Sequence, residues 1–262
     1  MFFHVTPEGI ERANKIKQAL GTALPAGFDK AAKEMTPQEA RDALVYLNVN
    51  WELHMKELSI SDDMKVISPK AEASTRVTLE PNIISGISFL LDSGKDFPLK
   101  PVTLAFGVAL WRLASELKKD WGVTTIYSGG IGIGRDDKPG DCHNSGRCID
   151  FFGADTSKGN FRVERDWGNQ LFVRPDKVHA RTWVGYKGHQ FSYRLENLVH
   201  PPGNTDARDF FRWVYEFAQR ECRDIKPGPS DIGGGSFIIH PDHPDPIREH
   251  HRNHIHFQLG AT

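Results

Sequence analysis

The chain has few cysteines, no long apolar run and almost no net charge. Its 262 residues include only three cysteines, too few for the disulfide framework of a small secreted domain. No run of about 18 apolar residues occurs, so the sequence predicts no transmembrane helix. Its 33 basic and 34 acidic residues nearly cancel. This balance argues against a nucleic-acid backbone or an anionic membrane as the partner.

The N-terminus also lacks the features of an export signal. The segment MFFHVTPEGIERANK has no basic start, no apolar core and no small-residue cleavage site, so we expect no signal peptide. Synthesis in the cytoplasm with free thiols follows as the simpler expectation, while pairing of Cys142 with Cys148 stays open. The length suits one domain with an accessory region, or two small domains.

Helical patterns dominate the first 95 residues. Residues 7–20 have helical periodicity, and residues 36–58 carry the capping-box residues Thr36 and Glu39 with Pro37 between them. A further helix is expected near Pro81, after a polar stretch over 60–80. We therefore predict a mainly helical N-terminal region, residues 1–95, with a docking, delivery or regulatory role.

Helices and strands mix in the second part of the chain. Amphipathic patterns predict helices over 101–119 and 206–222. Strand-like segments are VTTIYSGG, IDFF, NFRVERDW, the region around RTWVGYKGHQFSYRL, SFIIH and HIHFQL. This mixture predicts an α+β fold, a small antiparallel sheet flanked by helices, in a domain that covers residues 96–262.

Histidine is abundant near the C-terminus, where seven of the twelve histidines follow residue 199. The last residues include HRNHIHFQ, which places His254 and His256 two positions apart on a predicted strand. A period of two sends both side chains to the same face. His251, three residues earlier, can turn back toward the same place. One of these imidazoles can bind a metal while another stands beside the bound water.

A second cluster lies about a hundred residues upstream. The segment HNSGRCID places His143 seven positions before Asp150, and Gly146 between them permits a tight turn. Zinc in a catalytic site takes three protein ligands and leaves one position for water. Histidine and aspartate are suitable ligands, so the two segments together predict a zinc site.

These motifs match a known family. HNSGRCID fits the pattern H-x-x-G-x-(small)-x-D, and the chain ends in H-x-H. Together they resemble the LAS group of zinc metallopeptidases, named for lysostaphin, D-Ala-D-Ala peptidases and Hedgehog. The histidine spacing is most similar to penicillin-insensitive murein endopeptidases. The order of helix, SGG strand, Gly-rich loop and His-x6-Asp is similar to D-alanyl-D-alanine carboxypeptidases. The resemblance covers roughly residues 100–262.

The resemblance implies a role for each matching residue. The zinc ligands would be His143, Asp150 and His256. The catalytic pair would be His254 and His251, with Arg135 as the residue that polarises the substrate.

The sequence departs from the family pattern at two positions. Asp141 stands where many relatives have Ser, and Cys148 stands where Ala is usual. Many carboxypeptidases of the group use Glu rather than His as the base, so their base is not transferred. Cys148 is expected to be a buried packing residue rather than a nucleophile.

The resemblance implies a zinc-dependent peptidoglycan peptidase. It would hydrolyse a peptide bond in stem peptides or cross-links, involving a D-amino acid, with a zinc-activated water. The alternatives are a cytosolic D,D-dipeptidase and a non-catalytic, Hedgehog-like zinc-binding module. Since the cell wall lies outside the cytoplasm, an enzyme without a signal peptide is expected to act outside the cell or in a periplasm, after specialised delivery or release by phage-type lysis. Its expected partners are a muropeptide substrate, a secretion or injection machinery and an immunity protein, as for a delivered lytic effector.

The sequence indicates a functional role less strongly for several other polar and aromatic residues. His240, His243 and His250 are expected at surface loop positions rather than in a substrate groove. Loop positions exposed to water are also expected for Asp136, Asp137 and Asp141. For Trp183, Tyr186 and Tyr193, a cleft wall and core packing are equally favoured.

Overall fold

The computed structural model describes eleven parts of the chain: residues 24–47, 59–60, 66–67, 76–77, 83–95, 102–131, 142–167, 205–222, 238–241, 251 and 253–259. Four helices occur in these parts, and we label them α1 (Pro37–Tyr46), α2 (Leu104–Trp121), α3 (Val163–Asp166) and α4 (Thr205–Glu221). A 3-10 turn covers Ala32–Glu34. No helix among the described residues combines the length and apolar character needed to cross a membrane.

Strands make up the rest of the regular structure. They are β1 (Ser59–Ile60), β2 (Val66–Ile67), β3 (Arg76–Val77), β4 (Ile83–Ile84), β5 (Ile87–Leu91), β6 (Val102–Thr103), β7 (Thr125–Ile131), β8 (Cys148–Thr156), β9 (Gly159–Arg162), β10 (Ile238–Ile239) and β11 (Ile255–Gln258). Seven of them form one sheet in the order β10-β11-β8-β7-β5-β4, with β9 also paired to β8. Only the β5–β7 pair in this sheet is parallel among the described residues. The predicted α+β class is therefore confirmed.

The helix expected near Pro81 is wrong, because β4 and β5 form a hairpin there. Ile84 pairs with Ile87, and the two residues between them, Ser85 and Gly86, have φ values of 53° and 76°. Positive φ at both positions is the condition for a tight two-residue hairpin turn. The short apolar run resembled a helix because its period cannot be read reliably over so few residues.

The segment NFRVERDW was expected to contain a strand, and this is confirmed for its first part only. Its first residues do belong to β9, but Val163–Asp166 form the short helix α3. The Asp166 carboxylate accepts a hydrogen bond from the Arg162 backbone N–H at 2.8 Å. This contact ends the strand and starts the helical turn.

Other predicted helices agree with the structure. At the start of α1, Thr36 N–H donates to Glu39 Oε2 at 2.9 Å and Glu39 N–H donates to Thr36 Oγ1 at 3.2 Å. This is the predicted capping box, although residues 48–58 and the predicted helix over 7–20 lie outside the described residues. The predicted amphipathic helix over 206–222 is α4, and its apolar residues Phe210, Phe211, Val214, Phe217 and Ala218 are buried.

Residues near the N-terminal end of the described chain pack on the second half. Glu221, only 3% exposed, accepts hydrogen bonds from Ala32 N–H and Arg112 Nη1, both at 2.9 Å. Arg112 also donates to the backbone oxygens of Phe28 and Lys30. The proposed division between residues 95 and 96 stays a prediction, but β4 and β5 lie in the same sheet as β7 and β8.

The two faces of β8 and β11 differ. Ile149 and Phe151 on β8, and Ile255 and Phe257 on β11, are buried apolar residues. The Phe151 ring lies 6.2 Å from the ring of Phe210 on α4, so this face packs on the helical layer. Since side chains alternate along a strand, the polar residues between them point to the opposite face.

Candidate metal centre

The pairing of β11 with β8 sets the frame of the site. In this antiparallel pair, His256 lies opposite Asp150 and Gln258 lies opposite Cys148. Directly opposed residues in such a pair share one face of the sheet. His254 precedes β11 by one residue and has the same parity as His256. One face of two adjacent strands therefore carries Asp150, His254 and His256.

The turn before β8 brings His143 to this face. Gly146 N–H donates to His143 O and Arg147 N–H donates to Cys142 O, both at 3.0 Å. Gly146 has a φ of 66°, a left-handed conformation that glycine adopts without steric cost. The tight turn predicted at Gly146 is thus confirmed, and it returns the chain directly into the strand that carries Asp150.

Three histidine rings converge on one carboxylate oxygen. Asp150 Oδ1 lies 2.8 Å from His256 Nδ1, 3.4 Å from His254 Nε2 and 3.5 Å from His143 Nε2. Ligand atoms bound tetrahedrally to zinc at 2.0–2.1 Å are about 3.3 Å apart, by geometry. The separations of the His143 and His256 nitrogens from Asp150 Oδ1 bracket this value. The predicted ligand set of His143, Asp150 and His256 stays a prediction, since the nitrogen of His254 lies at a similar distance from the same oxygen.

His251 and His254 lie beside this set, as the sequence predicted. The centroids of their rings are 4.8 Å apart, and the His251 ring is 5.3 Å from that of His256. Both are buried, with exposed fractions of 9% and 7%. Their proposed catalytic roles stay predictions, and Arg135 lies outside the described residues.

Asn253 is a neighbour of His254 that sequence reasoning missed. Its Oδ1 lies 2.9 Å from His254 Nδ1. An amide oxygen only accepts hydrogen bonds, so His254 Nδ1 carries the proton in this contact. The lone pair of the neutral ring is then on Nε2, the nitrogen that faces Asp150. Its position next to His254 in HRNHIH was the available signal.

Gly129, in the SGG segment of β7, lies under the site. A Cβ atom at this position would come within 2.8 Å of Phe152 Cζ and 3.3 Å of Asp150 Cβ. The Phe152 ring lies in turn 5.2 Å from the His254 ring. A glycine at position 129 thus allows the β8 side chains to pack close to β7.

Two cysteines lie on the other side of His256. Cys142 Sγ is 3.6 Å from His256 Nε2 and 2.6 Å from Cys148 Sγ, and both cysteines are buried and not joined by a disulfide. The expected burial of Cys148 is confirmed. Gln258 Oε1 lies 3.3 Å from the same His256 nitrogen. Sequence reasoning expected Cys148 to be a packing residue, left its pairing with Cys142 open, and missed the contact of Cys142 with His256.

These thiols complete a second group of ligand atoms. One atom from each of Cys142, His143, Cys148 and His256 lies within 4.8 Å of the others, and the group could hold a metal ion. It shares His143 and His256 with the first set. The two sets lie on opposite sides of the His256 imidazole: its Nδ1 faces Asp150 and its Nε2 faces Cys142.

The charges of the site are strongly coupled. Burial opposes ionisation of Asp150, but the surrounding histidines hold the pKa of that carboxyl well below its usual range. Burial alone would lower the pKa of His256, yet Asp150 and Cys142 raise it to about 10. Asp150 likewise outweighs burial and raises the pKa of His143. Without a cation, protons hold these close nitrogen and oxygen atoms together.

The pKa of His254 is shifted in the opposite direction to that of His256. Burial lowers its pKa to about 4, although the charge of Asp150 opposes the shift. His254 is therefore neutral at pH 7 while His256 is protonated. In the same cluster, the hydrogen bond from Cys148 lowers the pKa of Cys142 to about 6, with a smaller contribution from His256.

One expectation about the other histidines is wrong. His240 was expected at a surface loop position, but it is buried after β10. Its ring stacks on Trp167 at 5.4 Å and meets the edge of Tyr215 at 5.4 Å, so it is a packing residue. The remaining residues singled out in the sequence lie outside the described residues: Asp136, Asp137, Asp141, Trp183, Tyr186, Tyr193, His243 and His250.

Comparisons with protein-family models, with curated proteins and with solved structures found no match to this chain. The resemblance to the LAS group therefore remains a prediction that two short motifs carry. The structure itself establishes an α+β fold with a His/Cys group that could hold a metal ion.

Proposed function

We propose that the chain is a zinc-dependent peptidase that cleaves a peptide bond in peptidoglycan stem peptides or cross-links, at a D-amino acid. The convergence of three histidine nitrogens on Asp150 Oδ1 is the observation that carries this proposal. His143, Asp150 and His256 supply three ligands and leave one position open, which is the arrangement of catalytic zinc sites. The substrate class rests on the motif resemblance alone.

When bound, a zinc ion would supply an acidic water, with a pKa lowered from about 15.7 to about 7. His254 accepts the proton of the attacking water at Nε2 and passes it to the leaving amine. One feature suits it to this role: Asn253 holds the proton on Nδ1, which leaves the lone pair of Nε2 to accept a proton.

His251 and Arg135 complete the proposed machinery. The ring of His251 lies 4.8 Å from that of His254, so it can orient that ring or stabilise the negative charge of the tetrahedral intermediate. Arg135 is assigned from the motif resemblance, as the cation that polarises the scissile carbonyl.

The test uses purified peptidoglycan with mass spectrometry of the released muropeptides. We expect fragments to appear with the zinc-loaded chain and to disappear when a chelator is added, and their masses identify the cleaved bond. Asp150→Asn should give no fragments, while Asp92→Asn, a change in an exposed carboxylate on the same chain, should cleave normally. Intact peptidoglycan after incubation with the zinc-loaded chain would contradict the proposal.

A second function is favoured by the Cys142, His143, Cys148 and His256 group. Four protein ligands around zinc make a closed structural site with no position for water. In that case the chain is a non-catalytic zinc-binding module. Substitution of zinc by cobalt distinguishes the closed four-ligand site from the open three-ligand site. A thiolate–cobalt charge-transfer band that survives Asp150→Asn supports the closed site, whereas cobalt binding lost with Asp150→Asn supports the open one.

A further inference from the structure

The two cysteines of the site lie at the ends of one short turn. Cys142 precedes His143, and Cys148 begins β8 two residues before Asp150. The Cys142 backbone oxygen accepts hydrogen bonds from Arg147 N–H and Ser145 Oγ, both at 3.0 Å. These bonds hold the two ends of the turn together, with both sulfurs on the inner side.

The sulfurs are positioned to react with each other. They are 2.6 Å apart and both cysteines are completely buried, so no other atom lies between them. A disulfide requires two sulfurs that can approach each other with little movement of the backbone. The turn already provides this approach, and Cys222, the third cysteine, lies at the end of α4.

The same sulfurs compete with Asp150 for the metal. Cys142 Sγ lies 3.6 Å from His256 Nε2, while Asp150 Oδ1 lies 2.8 Å from His256 Nδ1. Thiolates are softer ligands than carboxylates and are favoured by zinc when both are at hand. Reduced cysteines therefore draw the metal toward the closed His/Cys group. A disulfide has no thiolate to offer.

We propose that Cys142 and Cys148 form a reversible disulfide that decides which ligands hold the metal. The reduced pair holds it with His143 and His256, and the oxidised pair leaves it to His143, Asp150 and His256. The open site, and thus activity, belongs to the oxidised chain. This last step rests on the proposed function.

The redox step is a thiol–disulfide exchange with a small external disulfide. One thiolate attacks the external disulfide and forms a mixed disulfide, and the second thiolate then displaces the external thiol. The protein loses two protons and two electrons, and the external disulfide becomes two thiols. Because both sulfurs are buried, the exchange proceeds through opening of the turn. Reducing compartments favour the closed site and oxidising compartments favour the open one.

The experiment equilibrates the full chain in reduced or oxidised glutathione, then loads it with cobalt. Thiols are counted after unfolding, and the thiolate–cobalt charge-transfer band is recorded. All three cysteines should react as thiols in the reduced sample. Only Cys222 should react in the oxidised sample, which should bind cobalt without the thiolate band. Cys222→Ser is the matched control and should keep both the redox change and the spectral change.

The variants Cys142→Ser and Cys148→Ser should each abolish the change in thiol count and the response of the spectrum to glutathione. Three reactive thiols in the oxidised wild-type sample would overturn the proposal, and this result does not depend on any variant folding. A thiolate band of equal strength in both samples would overturn it too.

Hydrolysis of peptidoglycan is measured in parallel on zinc-loaded samples. We expect at least about tenfold faster cleavage by the oxidised chain, equivalent to about 1.4 kcal/mol in the barrier. If neither sample cleaves while the thiol count and the cobalt spectrum change as described, the redox-controlled metal site stands and the proposed peptidase function fails. If both samples cleave at the same rate, the proposed control of activity fails.

Discussion

His256 lies directly opposite Asp150 across the β11–β8 pair, and its Nδ1 is 2.8 Å from Asp150 Oδ1. This single cross-strand pair joins two segments that are 106 positions apart in the sequence. It fixes which nitrogen of His256 faces the carboxylate and leaves the other facing Cys142. The proposed peptidase function and the proposed Cys142–Cys148 disulfide both depend on this arrangement, in which one imidazole contacts Asp150 through one nitrogen and Cys142 through the other.

Removing the Asp150 carboxylate tests the ligand set. Asp150→Asn keeps the size of the side chain but removes its charge, so the zinc affinity of the oxidised chain, in which Asp150 is a proposed ligand, should fall by more than the about 10–100-fold typical of residues that only support a ligand. Isothermal titration calorimetry measures the change, with Asp92→Asn as the control. Unchanged affinity in Asp150→Asn would show that the metal is held by the thiolate group instead.

Zinc uptake should release protons. The pKa of His256 is raised to about 10 in the metal-free chain, so this ring is protonated at pH 7 and must lose its proton before Nδ1 can bind metal. Lower pH then opposes binding, and the affinity should fall about tenfold per pH unit below 10 for each proton released. Calorimetry in buffers of different ionisation enthalpy counts these protons. An affinity independent of pH between 6 and 8 would contradict this account.

Gly129 should be sensitive to a single added methyl group. In Gly129→Ala the new Cβ meets the Phe152 ring and approaches Asp150 Cβ, so overpacking should cost about 1–3 kcal/mol of stability and weaken zinc binding. Thermal unfolding and zinc titration measure the two effects. Gly94→Ala is the control, because it strains a positive φ with no neighbouring atom in reach and should spare zinc binding. Replacing the Phe152 ring with a smaller side chain, in the double variant Gly129→Ala/Phe152→Leu, should restore part of the lost stability and zinc affinity.

Deleting the first 95 residues should damage the fold that carries the site. The deletion removes β4, β5 and the fully buried Phe89 from the sheet. It also removes the Ala32 N–H that pairs with Glu221. We expect the shortened chain to lose cooperative thermal unfolding and zinc binding together. A chain starting at residue 96 that unfolds at the same temperature and binds zinc equally well would show that these residues form a separable module.

The sequence singled out His143 and His256, which belong to the group that could hold a metal ion, but it did not predict that Cys142 and Cys148 join them. His143, Asp150, His251, His254 and His256 could be singled out because their spacing follows the strand period and a glycine turn. Their convergence on one carboxylate oxygen depends on the β11–β8 register, which local patterns do not specify.

The surroundings depend on tertiary contacts. Gly129 reaches the site because β7 neighbours β8, and Cys142 reaches His256 because the turn folds inward. Neither of these contacts produces a periodic pattern in the sequence. His240 was misplaced for the same kind of reason, since a polar loop composition gives no sign that Trp167 and Tyr215 will enclose its ring. The β4–β5 hairpin was misread because the period of its short apolar run cannot be read reliably over so few residues.

The most direct measurement of the central claim compares zinc content and peptidoglycan cleavage in His254→Ala. His254 is proposed as the proton carrier and not as a ligand, so the variant should bind one zinc ion as tightly as the wild type. Its cleavage rate should fall by about 10²–10⁴, the usual contribution of a general base. Near-normal cleavage by a His254→Ala chain that retains its zinc would contradict the account.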